Sequence, residues 1–143
     1  MHVYWFQDSK IGHLNQVQAL IDELSKENDL VITKIHCPER SLFNWLKSIL
    51  PSDPIENHKD GLTLLIGAGH SAYPQILKTQ KALKQTSNLL SVAILKPSFN
   101  TNAFDLICAP EHDYPSTKKP NNVHAFKGSL ASTSLIEPTP NKG

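Results

Sequence analysis

The sequence predicts an α/β fold with a doubly wound, mostly parallel sheet of about six strands. Strand-like and helix-like segments alternate through the first two-thirds of the chain, which is the order that a parallel sheet with helical crossovers requires. Residues 62–66 form an apolar run of the kind that is buried on both faces of such a sheet. The length of 143 residues leaves room for one domain with a real core.

The first part of the chain alternates strand, helix, strand and helix. Apolar residues predict a first strand at Val3–Phe6, and the helical spacing of later apolar residues predicts a helix from about Leu14 to Ser25. β-branched residues predict a second strand at Leu30–Ile35. Ser41 is the expected N-cap of a further helix, which prolines then stop.

The later segments continue the alternation of strands and helices, until only strands are predicted. A third strand is predicted at residues 62–66, followed by a helix with Ser71 as its N-cap and Pro74 tolerated in its first turn. Three more strands are predicted, at Leu89–Leu95, Phe104–Cys108 and Val123–Phe126. The domain is expected to span residues 1–128, with residues 129–143 as a flexible tail or the start of an interdomain linker.

Composition argues against several classes of protein. Fourteen basic residues against thirteen acidic ones leave a net charge of +1, which gives no electrostatic reason to expect nucleic acid as a partner. No apolar run approaches the roughly 20 residues of a membrane-spanning helix. Cys37 and Cys108 have no metal-ligand spacing and are interpreted as buried free thiols of a reducing compartment, so a cytoplasmic location is predicted.

The loop after the first strand is the leading candidate for a ligand site, because ligands bind at the carboxyl edge of open α/β sheets. Gly12 is expected to allow a tight turn close to a ligand, beside the unpaired amides of the following helix. Lys10 adds a fixed positive charge, and His13 adds a group that changes protonation near neutral pH. This combination suits an anionic ligand.

Other loops at the same predicted edge also carry polar groups. Four of the seven histidines fall there: His13, His36, His70 and His112. We predict that His13 and the cluster Glu111-His112-Asp113 are functional, in a cleft suited to moving a proton, whereas His36 is interpreted as an ordinary loop histidine. A metal site at His112 and Asp113 is a minor alternative, since no recognised ligand spacing is present.

The stretch Gly67-Ala68-Gly69-His70-Ser71-Ala72 matches the dinucleotide pattern G-x-G-x-x-A between a strand and a helix. Two features oppose that interpretation. The glycines follow the third predicted strand instead of the first, and the next strand ends without the acidic residue that would hold a ribose. Lys96 at that end would have to meet a 2′-phosphate instead. The alternative is a glycine turn that lets helix and strand pack closely.

Four stretches resemble, in order, the amino-terminal half of the mitochondrial fission ELM (elongated mitochondria) family. They are Lys10-x-Gly12-His13-x-Asn15-Gln16, Ile66-Gly67-Ala68-Gly69, Phe104-Asp105-Leu106-Ile107 with Ala109-Pro110-Glu111-His112-Asp113, and Asn121-Asn122-Val123 leading to Gly128. The first stretch and the Pro-Glu-His-Asp run are the most specific. Bacterial members look like GT-B glycosyltransferases and have sometimes been labelled nucleoside-diphosphate-sugar epimerases.

The resemblance implies a GT-B amino-terminal domain with a Rossmann-like fold. Such proteins hold their active site between two domains, of which the first faces the acceptor and the second holds most of the nucleotide sugar. The implied partners of this chain are a nucleotide sugar, a hydroxyl acceptor and a carboxyl-terminal domain, without which we expect no activity. Peripheral contact with a membrane-associated assembly is a further expectation of the fission connection.

The resemblance also implies roles for particular residues. The ligand-binding residues would be Lys10, Gly12, Asn15, Gln16, Gly67, Gly69, His70, Glu111 and His112. His13 or Asp113 would be the catalytic base, and Lys10 with the first-loop amides would neutralise the departing diphosphate. His70 stands where an arginine-like residue is expected. No resident cofactor or metal is expected.

Two other functions are kept as alternatives. One is an NAD(P)-dependent nucleoside-diphosphate-sugar epimerase or oxidoreductase that uses residues 67–72. The other is a non-catalytic module that binds a partner. Because a fold constrains function poorly, the choice depends on the site.

Overall fold

A computed structural model describes residues 1–37, 61–83, 88–98, 101–114 and 120–127. The elements are β1 (His2–Gln7), α1 (Ile11–Ser25), β2 (Val31–His36), β3 (Thr63–Ala68), α2 (Tyr73–Leu83), β4 (Leu89–Ile94), β5 (Leu106–Pro110) and β6 (Val123–Phe126), with short 3₁₀ helices at Thr101–Ala103 and Glu111–Asp113. The strands form one sheet in the order β2-β1-β3-β4-β5-β6, and every neighbouring pair is parallel. The predicted α/β fold is confirmed.

The core lies on both faces of the sheet, because successive strand residues point to opposite sides. On one face Tyr4 and Phe6 of β1 pack with α2, whose Ile76 is fully buried. On the other face Val3 and Trp5 pack with α1 through its buried apolar stripe. The two described helices therefore cover opposite faces, as a doubly wound sheet requires.

The helix boundaries differ from the sequence prediction where backbone bonding decides them. Helix α1 begins at Ile11 instead of Leu14, since the Lys10 carbonyl already accepts the Leu14 amide at 3.1 Å. Ile11 itself is 70% exposed and contributes nothing to the apolar pattern from which the start was predicted. Gly12 is consequently an ordinary helical residue with no positive φ, so the predicted tight turn at Gly12 is wrong.

Strand bounds shift by no more than two residues. Strand β3 continues through Gly67 to Ala68, so this glycine belongs to the sheet and not to a loop. Strand β5 begins at Leu106, two residues late, because Asp105 is occupied in bonding: its carboxylate accepts the Ser91 amide at 2.9 Å. Pro74 does lie in the first turn of α2, as predicted.

Several predictions concern residues outside the described ranges. These are the helix after Ser41, most of the polar loop that follows it, and the tail at residues 129–143. Within the described part of the chain, no helix is long and apolar enough to cross a membrane. Cys37 and Cys108 are buried free thiols, as predicted. Burial, with a smaller contribution from the charge of Asp8, raises the pKa of Cys37 to about 12.

Candidate functional site

A buried carboxylate and a half-exposed imidazole form the centre of the site. Asp8 directly follows β1 and is 7% exposed, and its Oδ2 lies 2.5 Å from Nδ1 of His13 in the first turn of α1. The other carboxylate oxygen accepts the Lys10 backbone amide at 3.2 Å. Because an ionised carboxylate only accepts hydrogen bonds, this contact favours the tautomer of His13 that carries its proton on Nδ1. In that tautomer Nε2 has the free lone pair, and the ring is oriented by its carboxylate partner.

Gly69 is the third component of this centre. It follows β3 with φ +102, a conformation that side-chain-bearing residues rarely adopt. A Cβ at this position would lie 2.1 Å from Asp8 Oδ2 and 2.7 Å from His13 Nδ1. The Gly69 carbonyl also accepts the amides of Ala72 and Tyr73, which starts helix α2. The pair between Asp8 and His13 thus occupies the space that only a glycine leaves free.

Gly67 serves packing. A Cβ there would lie 2.6 Å from the Phe6 carbonyl oxygen and close to the side chains of Ala72 and Ile76. The chain's own atoms therefore occupy the space beside both glycines of the G-x-G pattern. These contacts support the packing interpretation of that motif and give no support to the dinucleotide interpretation.

A second group of side chains lies at the loops after β4 and β5. Lys96 donates from Nζ to the Asp113 carbonyl at 3.2 Å, and Nζ stands 5.0 Å from the centroid of the Tyr114 ring. His70, after β3, has Nε2 3.4 Å from Ser98 Oγ. The loops after β3, β4 and β5 therefore meet at the carboxyl edge of the sheet.

Tyr73 lies between the two groups. Its hydroxyl donates to the Ile94 carbonyl at 2.5 Å, and its ring makes an edge contact with the His70 ring at 6.0 Å. Burial, with smaller contributions from the charges of Asp8 and Asp113, raises the pKa of Tyr73 to about 12, and a hydrogen bond with the Gly69 backbone acts in the opposite direction. The charges of carboxylates from both groups therefore act on this one buried phenol.

The remaining predicted site residues are mostly exposed and make few described contacts. Asn15 is exposed on α1, Glu111 is exposed at the end of β5, and His36 is exposed at the end of β2. His112 is also exposed, with Nε2 3.5 Å from Asp113 Oδ1. Gln16 has a buried side-chain oxygen without a hydrogen-bond partner in the described part of the chain. No described hydrogen bond or ion pair connects the Glu111–Asp113 cluster to His13.

Two of the quoted family stretches have structural roles. Asp105 links β4 to β5 through Ser91. Asn122 donates from its amide nitrogen to the carbonyls of Thr101 and Phe104, at 2.8 and 3.0 Å. These bonds tie together the segments that enter β5 and β6, far along the strands from the loops that carry the polar groups.

Sequence reasoning missed the two most constrained polar residues of the site, Asp8 and Tyr73. Asp8 had a detectable signal: it is an acidic residue at the end of a predicted strand, five positions before a histidine. Tyr73 had none, because its position on an apolar helix stripe is typical of core packing. As for metals, within the described ranges no group of three or more histidine, cysteine, aspartate or glutamate residues could hold an ion.

Tyr73→Phe should change how stability depends on pH. The pKa of Tyr73 is raised from 10.0 to about 12 in the folded chain, so its neutral form stabilises the fold below pH 10, and that stabilisation is lost as pH rises from 10 through about 12. The loss over this window is about 3 kcal/mol. In the phenylalanine variant the free energy of unfolding should fall less steeply with pH, keeping the part due to Cys37. Urea denaturation at a series of pH values measures this, and identical slopes in both proteins would contradict it.

Comparison with models of protein families identifies the family of this chain. A family model described as Mitochondrial fission ELM1 matches residues 11–136. The matched range includes His13, Gly69, Lys96 and Asp113, whereas Asp8 and Lys10 precede it. No curated protein and no solved structure matches the chain significantly.

Proposed function

The chain belongs to the mitochondrial fission ELM1 family, and we propose that it is the amino-terminal, acceptor-side domain of a GT-B-type glycosyltransferase-like protein. The proposal joins the resemblance of this family to GT-B enzymes with one observation in this chain. That observation is the pair between Asp8 and His13, which presents a carboxylate-oriented imidazole at the carboxyl edge of a parallel sheet. Such an imidazole is suited to act as a general base.

The proposed reaction transfers a sugar from a nucleotide sugar to a hydroxyl acceptor. His13 Nε2 takes the proton of the acceptor hydroxyl while that oxygen forms a bond to the anomeric carbon. The bond from the anomeric carbon to the diphosphate breaks, and the nucleoside diphosphate leaves with the electron pair. Asp8 keeps the imidazole in the required tautomer and stabilises the imidazolium that forms.

The charged groups beside this pair fit the leaving group. Lys10 is exposed at the N-cap of α1, where the first helical amides have no intrahelical partners. A fixed positive charge and free amides stabilise charge that develops on a diphosphate. Most of the donor contacts would come from a carboxyl-terminal domain facing this edge.

His13 is a better base than Asp113 in this geometry. The Asp113 side chain is 32% exposed, and its Oδ1 lies 3.5 Å from Nε2 of the exposed His112. Nothing in the described part of the chain fixes the orientation of that carboxylate as Asp8 fixes His13. Proton transfer depends on such positioning, since a small displacement of the base costs much of the rate.

A transfer assay on the natural gene product that contains this chain tests the proposal. The protein is incubated with a panel of nucleotide sugars and hydroxyl acceptors, and mass spectrometry follows the glycosylated acceptor and the released nucleoside diphosphate. We expect acceptor-dependent release from at least one donor. A folded gene product that releases no nucleoside diphosphate across the panel would contradict the proposal.

Calorimetric titration separates this function from the epimerase alternative. We expect no heat of binding when NAD or NADP is added to the chain, because its own atoms fill the space at Gly67 and Gly69. Saturable binding of either cofactor would favour the epimerase or oxidoreductase instead. Specific retention of a protein partner without any transfer would favour the non-catalytic module.

A further inference from the structure

We infer that the loop after β4 forms a phosphoryl-binding subsite made by Lys96, Ser98 and His70. The choice of a phosphoryl group as the ligand rests on the proposed function, in which a nucleoside diphosphate is the leaving group. The placement of the three side chains is independent of that function. They come from two loops that meet beside the Asp8 and His13 pair.

The ammonium of Lys96 has no carboxylate partner among the described residues. It lies over the Tyr114 ring and donates to the Asp113 carbonyl. Among the described residues, the carboxylates of Asp8 and Asp113 each lie beside a histidine, His13 and His112, and neither forms an ion pair with Lys96. A cation without a carboxylate partner can accept an anion from a ligand.

The backbone of this loop is held in a conformation that needs support. Leu95 has φ +76, which is rare for a residue with a side chain. Its amide donates to the Cys108 carbonyl at 2.7 Å, and the Tyr73 hydroxyl bonds the Ile94 carbonyl just before it. Pro97 is fully buried, so Lys96 and Ser98 flank a fixed residue while both remain exposed. Strained turns of this kind concentrate at functional sites.

Three further polar side chains, Ser98, His70 and Tyr114, belong to the loops that meet at Lys96. Ser98 Oγ is 3.4 Å from His70 Nε2, so a single oxygen-rich group could be reached by both side chains. The Tyr114 hydroxyl is buried and has no hydrogen-bond partner within the described ranges. Buried polar groups normally have a partner, and this one belongs to the ring that Lys96 covers. Several donors around one cation match the three acceptor oxygens of a phosphoryl group better than the two of a carboxylate.

Binding of two phosphate probes to the chain and its variants tests the inference. Uridine diphosphate represents the donor, and glycerol phosphate represents a phosphorylated acceptor. We expect Lys96→Met to weaken binding of one or both probes by about 10- to 100-fold. The probe that loses affinity identifies which substrate carries the phosphoryl group. Ser98→Ala, which keeps the loop's charge and fold, should weaken the same probe by about twofold to tenfold.

Lys34→Met is the matched control. Lys34 also places its ammonium over an aromatic ring, 5.5 Å from the centroid of Trp5, so both substitutions remove one charge and one cation–π contact. It lies on β2, three strands from β4 and therefore roughly 14 Å away across the sheet. We expect its affinity for both probes to match that of the unsubstituted chain.

Two results would overturn the subsite. One is that neither probe binds the unsubstituted chain, and the other is that Lys96→Met binds as tightly as Lys34→Met. Both are binding measurements that do not depend on glycosyl transfer. Their results are therefore independent of whether the proposed function is correct. A gene product without transfer activity whose phosphate binding is lost in Lys96→Met would disprove the glycosyltransferase and keep the subsite.

Discussion

His13→Ala should lower kcat for glycosyl transfer by the natural gene product about 100- to 10,000-fold. The variant loses the imidazole that takes the acceptor proton, while the Asp8 carboxylate remains in place beside an empty space. Imidazole added to the solution should therefore restore part of the lost rate, because a free ring can enter that space and bond the same carboxylate. Steady-state kinetics of transfer, with and without added imidazole, measure both effects.

His36→Ala is the control for this substitution. It removes a histidine that is also at the carboxyl edge of the sheet but is exposed at the end of β2. We expect its kcat to equal that of the unsubstituted protein. A His13→Ala protein that folds and transfers sugar at an unchanged rate would remove this residue from the mechanism.

Asp8→Asn examines the orienting role separately. The amide has nearly the same shape as the carboxylate but cannot stabilise an imidazolium, and it can present its nitrogen to the ring. We expect kcat to fall while KM for the acceptor stays unchanged, because Asp8 acts through His13 and does not touch the acceptor. Added imidazole should not rescue this variant. An increase in KM alone would show that Asp8 serves binding instead.

Gly69→Ala should destabilise the chain by about 2–4 kcal/mol. The new Cβ would lie 2.1 Å from Asp8 Oδ2, and the backbone would keep φ +102 only under strain. Asp8 cannot yield easily, since His13 and the Lys10 amide hold both of its oxygens. The variant should therefore also lose the pairing of Asp8 with His13. Urea denaturation gives the change in the free energy of unfolding.

Two other glycine substitutions separate the backbone strain in Gly69→Ala from the steric clash. Gly61 has φ +79, and no atom of the described residues lies near its missing Cβ, so Gly61→Ala carries the backbone strain without the clash and should cost about 1 kcal/mol. Gly12 is helical and also faces open space, so Gly12→Ala should stabilise the chain by about 0.5–1 kcal/mol. Equal costs at positions 61 and 69 would mean that the contact with Asp8 and His13 contributes nothing.

The strands were predictable because a short run of apolar residues indicates each of them in the sequence. Strand β6 has the predicted bounds, and the others differ by at most two residues. The start of α1 was harder to predict, since a helix begins where the backbone bonds begin, and Ile11 and Gly12 precede the apolar pattern. Because the helix was predicted to begin at Leu14, Gly12 was interpreted as a turn residue, although it lies in the helix.

The two glycines of the G-x-G stretch show why the site was only partly predictable. In the sequence they look equivalent, yet Gly67 makes room for the Phe6 carbonyl and Gly69 makes room for the Asp8 and His13 pair. Both reasons involve residues roughly 60 positions earlier in the chain, and no local pattern around the glycines contains them. Asp8 differs from these glycines, because its partner His13 is only five positions away in the chain and the pair could have been recognised there.

NMR of the chain labelled with ¹⁵N in its histidine rings measures the central claim most directly. In mildly alkaline solution we predict that His13 carries its proton on Nδ1, and that this proton exchanges slowly because it is bonded to Asp8. Asp8→Ala should remove that protection and leave the ring a mixture of tautomers. A His13 ring that carries its proton on Nε2, or one whose spectrum is unchanged by Asp8→Ala, would contradict the claim that a carboxylate-oriented imidazole is the proposed base.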